Sequence, residues 1–155
     1  MLRHKMDTII ETASVRQLER LLEIEKTCFK EEAFTRRHIA SLLTDYNSIC
    51  LTAKERDQII GFIIGTTYFE RNSLTGHVLT IDVVPQSRRK GAGAKLLDEM
   101  ERIFKEKGVR TCRLEVREDN VAALGLYRKL DYRVIARLKG YYGKADGIYL
   151  RKTLI

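Results

Sequence analysis

Apolar residues fall along this chain in two rhythms. Val15, Leu18, Leu21, Leu22 and Cys28 recur at helical spacing, which predicts a first helix with Thr12 or Ser14 as its cap. A second helix is predicted from Thr35, with Ile39, Leu42 and Leu43 on its apolar face. The clearest spans residues 91–107, with Leu96, Leu97, Met100, Ile103 and Phe104 on one side and Gly108 as its stop. Asn120 can cap a fourth helix running to Leu130. The other rhythm is that of strands: β-branched and alternating runs predict them at residues 8–11, 48–54, 59–68, 77–84, 111–117, 132–138 and 148–153. Turns are predicted at residues 56–58 and 71–76, and Tyr141-Tyr142-Gly143 lies in the loop joining the last two strands. The order β-α-α-β-β-β-α-β-α-β-β implies an α/β chain with a mixed sheet and helices on both faces.

Composition narrows the class without naming a chemistry. A length of 155 residues with a 44% hydrophobic fraction suits one domain over residues 1–155 with a real core. Pro85 is the single proline, and neither a linker nor an internal repeat is evident. Cys28, Cys50 and Cys112 are far apart in apolar surroundings, with no metal-ligand spacing, so they read as buried thiols in a reducing compartment. No metal is expected. Residues 1–5 lack the apolar core of a signal peptide, and no apolar run approaches the roughly 20 residues of a membrane span, so a cytoplasmic protein is expected. His4 and His38 read as surface residues.

Charge adds a location. Lys and Arg number 29 against 21 Asp and Glu, a formal net charge of +8, which serves solubility or an anionic partner. The densest basic run, Arg88-Arg89-Lys90, directly precedes Gly91-Ala92-Gly93-Ala94 at a predicted strand-to-helix junction. Glycines there let the backbone turn tightly, and the first N–H groups of the helix point outward at the positive end of its dipole. That chemistry suits a pyrophosphate. A phosphate-binding loop of the G-x-x-x-x-G-K-[ST] kind is absent, and Leu96 stands where a dinucleotide fingerprint needs its third glycine.

A second segment, Glu115-Val116-Arg117-Glu118-Asp119-Asn120 followed by Ala122-Ala123 and Leu126-Tyr127, completes a pattern. Pro-(x)₂-Arg-(x)₂-Gly-x-Gly from Pro85 and N-x-x-A-x-x-L-Y from Asn120 together resemble the Gcn5-related N-acetyltransferase superfamily over almost the whole chain. Leu114-Glu115-Val116-Arg117 with Asn120 and Tyr127 is similar to the ribosomal-protein alanine N-acetyltransferases. Gly76-His77 and Leu138-Lys139-Gly140-Tyr141-Tyr142 are more like the archaeal protein N-terminal acetyltransferases. The fold so implied is a mostly antiparallel seven-stranded sheet with a splayed parallel pair, flanked by about four helices.

The resemblance also implies roles. Acetyl-CoA would lie where the Ile81-Asp82-Val83 strand parts from Leu114 to Val116, its amide-bearing arm pairing with the main chains of Ile81 and Val83. The side chains of Ile81 and Val83 would be ordinary core. Arg88, Arg89, Lys90, Gly91, Ala92, Gly93 and Ala94 would cradle the pyrophosphate, and Asn120 and Ala123 would add contacts. Tyr127 is the implied acid for the leaving thiolate, and Glu115 and His77 are the implied bases. Phe29, Phe34, Tyr141 and Tyr142 would bound the acceptor's groove.

The acceptor implied is the N-terminus of a protein or peptide, a ribosomal protein among the candidates, with direct attack and an inert Cys112. Deprotonating an α-amine of pKa about 8 at pH 7 costs roughly 1.4 kcal/mol, against roughly 4.6 kcal/mol for a lysine near 10.4. One modest base therefore serves an N-terminus more easily. Two departures fall on the acceptor side: Gly147-Ile148 replaces the usual Asp-Ala, and residues 29–34 lack the usual Pro-Trp or Pro-Tyr. Two rivals remain open: a lysine, polyamine or other small amine as acceptor, and a non-catalytic basic domain for RNA or the ribosome.

Overall fold

Residues 7–155 are described by the structure, a computed structural model. The readings of residues 1–5 and of His4 lie outside the described residues. The strands are β1 (Ile9–Thr12), β2 (Ser48–Glu55), β3 (Gln58–Glu70), β4 (Ser73–Val83), β5 (Thr111–Arg117), β6 (Arg133–Leu138) and β7 (Gly147–Thr153). The helices are α1 (Leu18–Phe29), α2 (Arg36–Thr44), α3 (Ala92–Glu106) and α4 (Val121–Lys129). The strands form one seven-stranded sheet in the order β1-β2-β3-β4-β5-β7-β6. Pairing is antiparallel for β1 with β2 and for β7 with both β5 and β6, and parallel for β4 with β5. The mixed α/β class and the element order predicted from the sequence are both present.

The parallel pair is short. Its register runs Thr75↔Thr111, Gly76↔Cys112 and His77↔Arg113. Both strands then continue, β4 through Val78 to Val83 and β5 through Leu114 to Arg117.

The chain parses into two compact units. One takes in the chain to Ile64 with Thr80–Met100, and the other takes in Gly65–Leu79 with Glu101–Ile155. Buried in the first are Leu21, Leu22 and Ile24 of α1, Ile39 and Leu42 of α2, Phe62 to Ile64 of β3, and Leu96, Leu97 and Met100 of α3. Buried in the second are Phe104, Val109, Cys112, Leu114, Val116, Tyr132 and Leu150. Leu21, Leu22, Ile39, Leu42, Leu96, Leu97, Met100 and Phe104 are positions that the helical rhythm singles out, removed from water as the hydrophobic effect requires, while Leu18, Cys28, Leu43 and Ile103 on the same faces are half-buried.

The structure corrects several details. Arg71 and Asn72, with φ of 49° and 66°, make a two-residue turn by themselves, so β4 starts at Ser73 and not at His77. Arg56 and Asp57, at 48° and 63°, do the same, and Gln58 belongs to β3. Ser14, not Thr12, caps the first helical segment, in a capping box with Gln17. That segment opens with a tight turn, Val15–Gln17, which leaves Val15 exposed. Gly76 sits inside β4 because a Cβ there would come within 2.5 Å of the Phe104 ring.

Candidate functional site

The second unit carries the chemistry on one face of β5. Alternation buries Cys112, Leu114 and Val116 and leaves Thr111, Arg113, Glu115 and Arg117 half-buried on the opposite face. In β4, His77 lies in register with Arg113, so its side chain stands on that same face. His77 Nε2 and Glu115 Oε2 are 2.6 Å apart, and Arg113 donates from Nη2 to Glu115 Oε1 at 2.6 Å. Arg113 donates also from Nη1 to the Tyr68 hydroxyl, at 3.1 Å, and its guanidinium lies over the Tyr149 ring. Both oxygens of Glu115 are thus engaged, and its side chain is only 7% exposed against 22% for His77.

The electrostatics follow from these contacts. Burial alone would raise the Glu115 pKa, but the hydrogen bonds from His77 and Arg113 outweigh it and hold the carboxyl below its ordinary value. Burial disfavours the Arg113 charge, yet Glu115 and Tyr68 together drive its pKa further up. Glu115 is therefore an anion that only accepts, so His77 Nε2 is the donor of the shared bond.

The tyrosine loop is held beside this cluster. Asp146 Oδ1 accepts from the Gly140 N–H at 2.9 Å, and Asp146 Oδ2 is paired with Arg137 at 3.2 Å. Gly140 and Gly143 take φ of 66° and 76°, which lets the loop close on itself. Tyr141 and Tyr142 meet edge to face at 4.9 Å, and Arg117 lies over the Tyr142 ring. Partial burial and then the nearby Glu115 charge raise the Tyr141 pKa, so its phenol stays protonated, and the residue is 53% exposed. Gly147 gives the ring its place: a Cβ there would be 3.1 Å from Tyr141. The departure from Asp-Ala noted in the sequence is thus the space that Tyr141 fills.

On α4, Asn120 accepts from the Ala123 N–H at 3.1 Å and caps the helix, leaving its amide hydrogens as donors. Tyr127 is buried in the last turn and meets the Tyr132 ring at 6.1 Å. Tyr132 is anchored in turn, donating to Glu101 Oε2 at 2.9 Å. Burial pushes the Cys112 thiol up to about 12, so it stays protonated and unreactive.

The first unit carries the basic glycine turn. Gly91 has φ of 87°, and a Cβ built on it would meet nothing within 4 Å. The first helical bond of α3 runs from the Lys95 N–H to the Gly91 carbonyl at 3.0 Å. The N–H groups of Ala92, Gly93 and Ala94 precede it and are the donors an anion can use. Arg88, Arg89 and Lys90 are exposed around them. This donor set fits the pyrophosphate of a CoA thioester. Arg88 Nε also donates to the Val83 carbonyl at 2.9 Å, toward which the Cys28 thiol points as well.

Asp82 and its neighbours differ from expectation. Ile81 and Val83 are half-buried rather than core, and it is Asp82 whose side chain is buried. Thr80 Oγ1 is 2.6 Å from Asp82 Oδ1 and 2.8 Å from Glu25 Oε1, while Glu25 Oε2 accepts from the Phe34 N–H at 3.0 Å. Burial first, then the Glu25 charge, drive the Asp82 pKa well above the carboxylate range. Any contact from Asp82 to a cofactor is therefore left to its main chain. Phe29 and Phe34 flank the tight turn Lys30–Glu32 between α1 and α2, and both are half-buried.

Sequence reasoning missed Arg113 and Tyr68. Arg113 had a signal: it stands two residues before Glu115 on an alternating strand, hence on the same face. Tyr68 had none, since its contact depends on tertiary structure. Among the described residues, no cluster of three or more His, Cys, Asp or Glu side chains could hold a metal, and no helix is long and apolar enough to cross a membrane.

Residues 16–132 match the acetyltransferase (GNAT) family. An N-alpha-acetyltransferase of Saccharolobus solfataricus is 25% identical over 153 residues, covering 93% of this chain and 91% of its own. A [ribosomal protein bS18]-alanine N-acetyltransferase of Haemophilus influenzae is 39% identical over 93 residues, 60% of each chain. The crystal structure of Arabidopsis thaliana NAA60 in complex with acetyl-CoA shares the fold, with a TM-score of 0.86 at 18% identity over 95% of this chain and 98% of that one.

Proposed function

Because the chain belongs to the acetyltransferase (GNAT) family and is an enzyme that takes acetyl from acetyl-CoA, we propose that its acceptor is the N-terminal α-amine of a polypeptide. The observation that carries this reading is the His77–Glu115–Arg113 cluster, on the half-exposed face of β5 beside the tyrosine loop. The N-alpha-acetyltransferase relative supports it.

Acetyl-CoA supplies an activated acetyl thioester, which ends as an amide and a free thiol. Arg88, Arg89, Lys90 and the N–H groups of Ala92, Gly93 and Ala94 hold its pyrophosphate. The main chains of Ile81, Asp82 and Val83, with Asn120 and Ala123, are its further contacts. The acceptor must arrive neutral, and His77 Nδ1 takes the proton that the α-amine sheds. Glu115 stays ionised, orients the ring through Nε2 and stabilises the imidazolium, as a buried carboxylate does for a catalytic histidine. Arg113 keeps Glu115 in that place. The Tyr127 hydroxyl donates to the leaving sulfur. Phe29, Phe34, Tyr141 and Tyr142 bound the acceptor's first residues. Three free thiols suit a cytoplasmic compartment.

The test is acetyl transfer to short peptides with free or blocked N-termini, with and without lysine. Transfer confined to free N-termini is expected. Transfer to lysine side chains or to spermidine in preference would assign the site to another amine.

A further inference from the structure

The face that carries the base carries a second feature, which the α-amine reading does not use. In β5 and β7, Arg113 stands directly opposite Arg151, and in β7 and β6, Arg151 stands directly opposite Arg133. His77 extends the same row into β4. Directly paired residues on neighbouring strands project to one side of the sheet. Three guanidinium groups therefore line up across three adjacent strands, starting next to the catalytic cluster and ending on the edge strand.

Like charges placed opposite each other across strands destabilise a sheet unless an anion offsets them. Glu115 is the carboxylate within ion-pair distance of Arg113, and it is shared with His77. Among the described residues, no carboxylate pairs with Arg151 or Arg133; Glu118 and Asp146 pair with Arg137, and Asp119 with Arg117. The Nε atoms of Arg113 and Arg151 are buried and have no hydrogen-bond partner. A guanidinium is built to bind carboxylate oxygens, and the half-buried Arg151 and the exposed Arg133 are the members of the row that an arriving carboxylate can reach.

Resting on the α-amine reading, we propose that this arginine row binds acidic side chains in the first few residues of the acceptor polypeptide. The spacing suits this. Strands lie about 4.8 Å apart, so Arg113 and Arg133 are about 10 Å apart, the length of roughly three residues of extended chain. A polypeptide whose α-amine reaches His77 passes its second to fourth side chains over the row. Asp or Glu there supplies the charge the sheet lacks, and the enzyme is specific for acidic N-termini.

The experiment compares kcat/KM for two peptides that share their first residue and their tail and carry either Asp-Glu-Asp or Asn-Gln-Asn at positions two to four. The acidic peptide is expected to be preferred tenfold or more, chiefly through KM, with the preference shrinking as salt rises. In the R133E/R151Q variant the ratio of the two kcat/KM values is expected to fall toward one. A ratio is used because a merely structural defect lowers both rates together. Equal use of both peptides by the wild-type enzyme overturns the proposal and leaves the α-amine reading intact, as does a preference that survives in R133E/R151Q. Transfer to lysine side chains with none to either free N-terminus overturns both.

Discussion

At His77, Glu115 and Asp82, local contacts decide what each titratable group can do. Glu115 is pinned at both oxygens and held ionised, so in the proposed reaction its service is orientation and charge, with His77 as the acceptor of the proton. Replacing Glu115 with Gln keeps the shape and removes the anion. The variant is expected to lose about 10²- to 10⁴-fold in kcat, with the Kd for CoA unchanged by calorimetry. Asp82 is the opposite case. Its folded pKa is raised, so the folded state holds a proton that the unfolded chain has already released. That stability is complete below the ordinary carboxylate range and is lost as pH rises toward the folded value. Asp82→Asn removes the titration. Its melting temperature is expected to exceed the wild type's by a few degrees at pH 8, with the gap closing at pH 4 in a thermal scan; about 1 kcal/mol corresponds to roughly 2–4 °C at this size.

Short sequence features position the site's elements. The Asn120 cap starts α4 and so sets the direction in which Tyr127 enters; Asn120→Ala is expected to cost about 1 kcal/mol in denaturant unfolding. Gly147 makes room for Tyr141, and a Cβ at 3.1 Å forces the ring to give way. Gly147→Ala is expected to raise the peptide KM severalfold while leaving the acetyl-CoA KM alone, as bisubstrate kinetics would show. At this scale the sequence was a good guide wherever a rhythm or a cap was local. α3 lies within a residue or so of its prediction, and β5 matches its predicted bounds. Turn chemistry misled where Arg71 and Asn72 took left-handed conformations that glycine would have announced. Asp82 misled because its partner, Glu25, is 57 residues away in sequence and no spacing rule joins them. That His77 and Glu115 belong together was legible through a resemblance, while Arg113, on the same face of β5 as Glu115 by alternation alone, was overlooked.

Taken as a whole, the molecule divides its work between its two units. The basic glycine turn at the head of α3 lies in one, and the base cluster and tyrosine loop lie in the other. Gly76 shows how tightly the second is packed. A Cβ there falls 2.5 Å from the fully buried Phe104 ring, so Gly76→Ala is expected to cost about 1–3 kcal/mol of global stability by chemical denaturation. On the proposed mechanism the enzyme acetylates α-amines with His77 and Glu115 as the proton-accepting pair. The most direct test is mass-spectrometric mapping of the acetyl group on a peptide that offers both a free N-terminus and a lysine, with wild-type, His77→Ala and Glu115→Gln enzymes. The proposed mechanism requires acetyl on the N-terminus alone with the wild type, and loss of that product in both variants. Acetyl on the lysine, or undiminished N-terminal product in either variant, would contradict it.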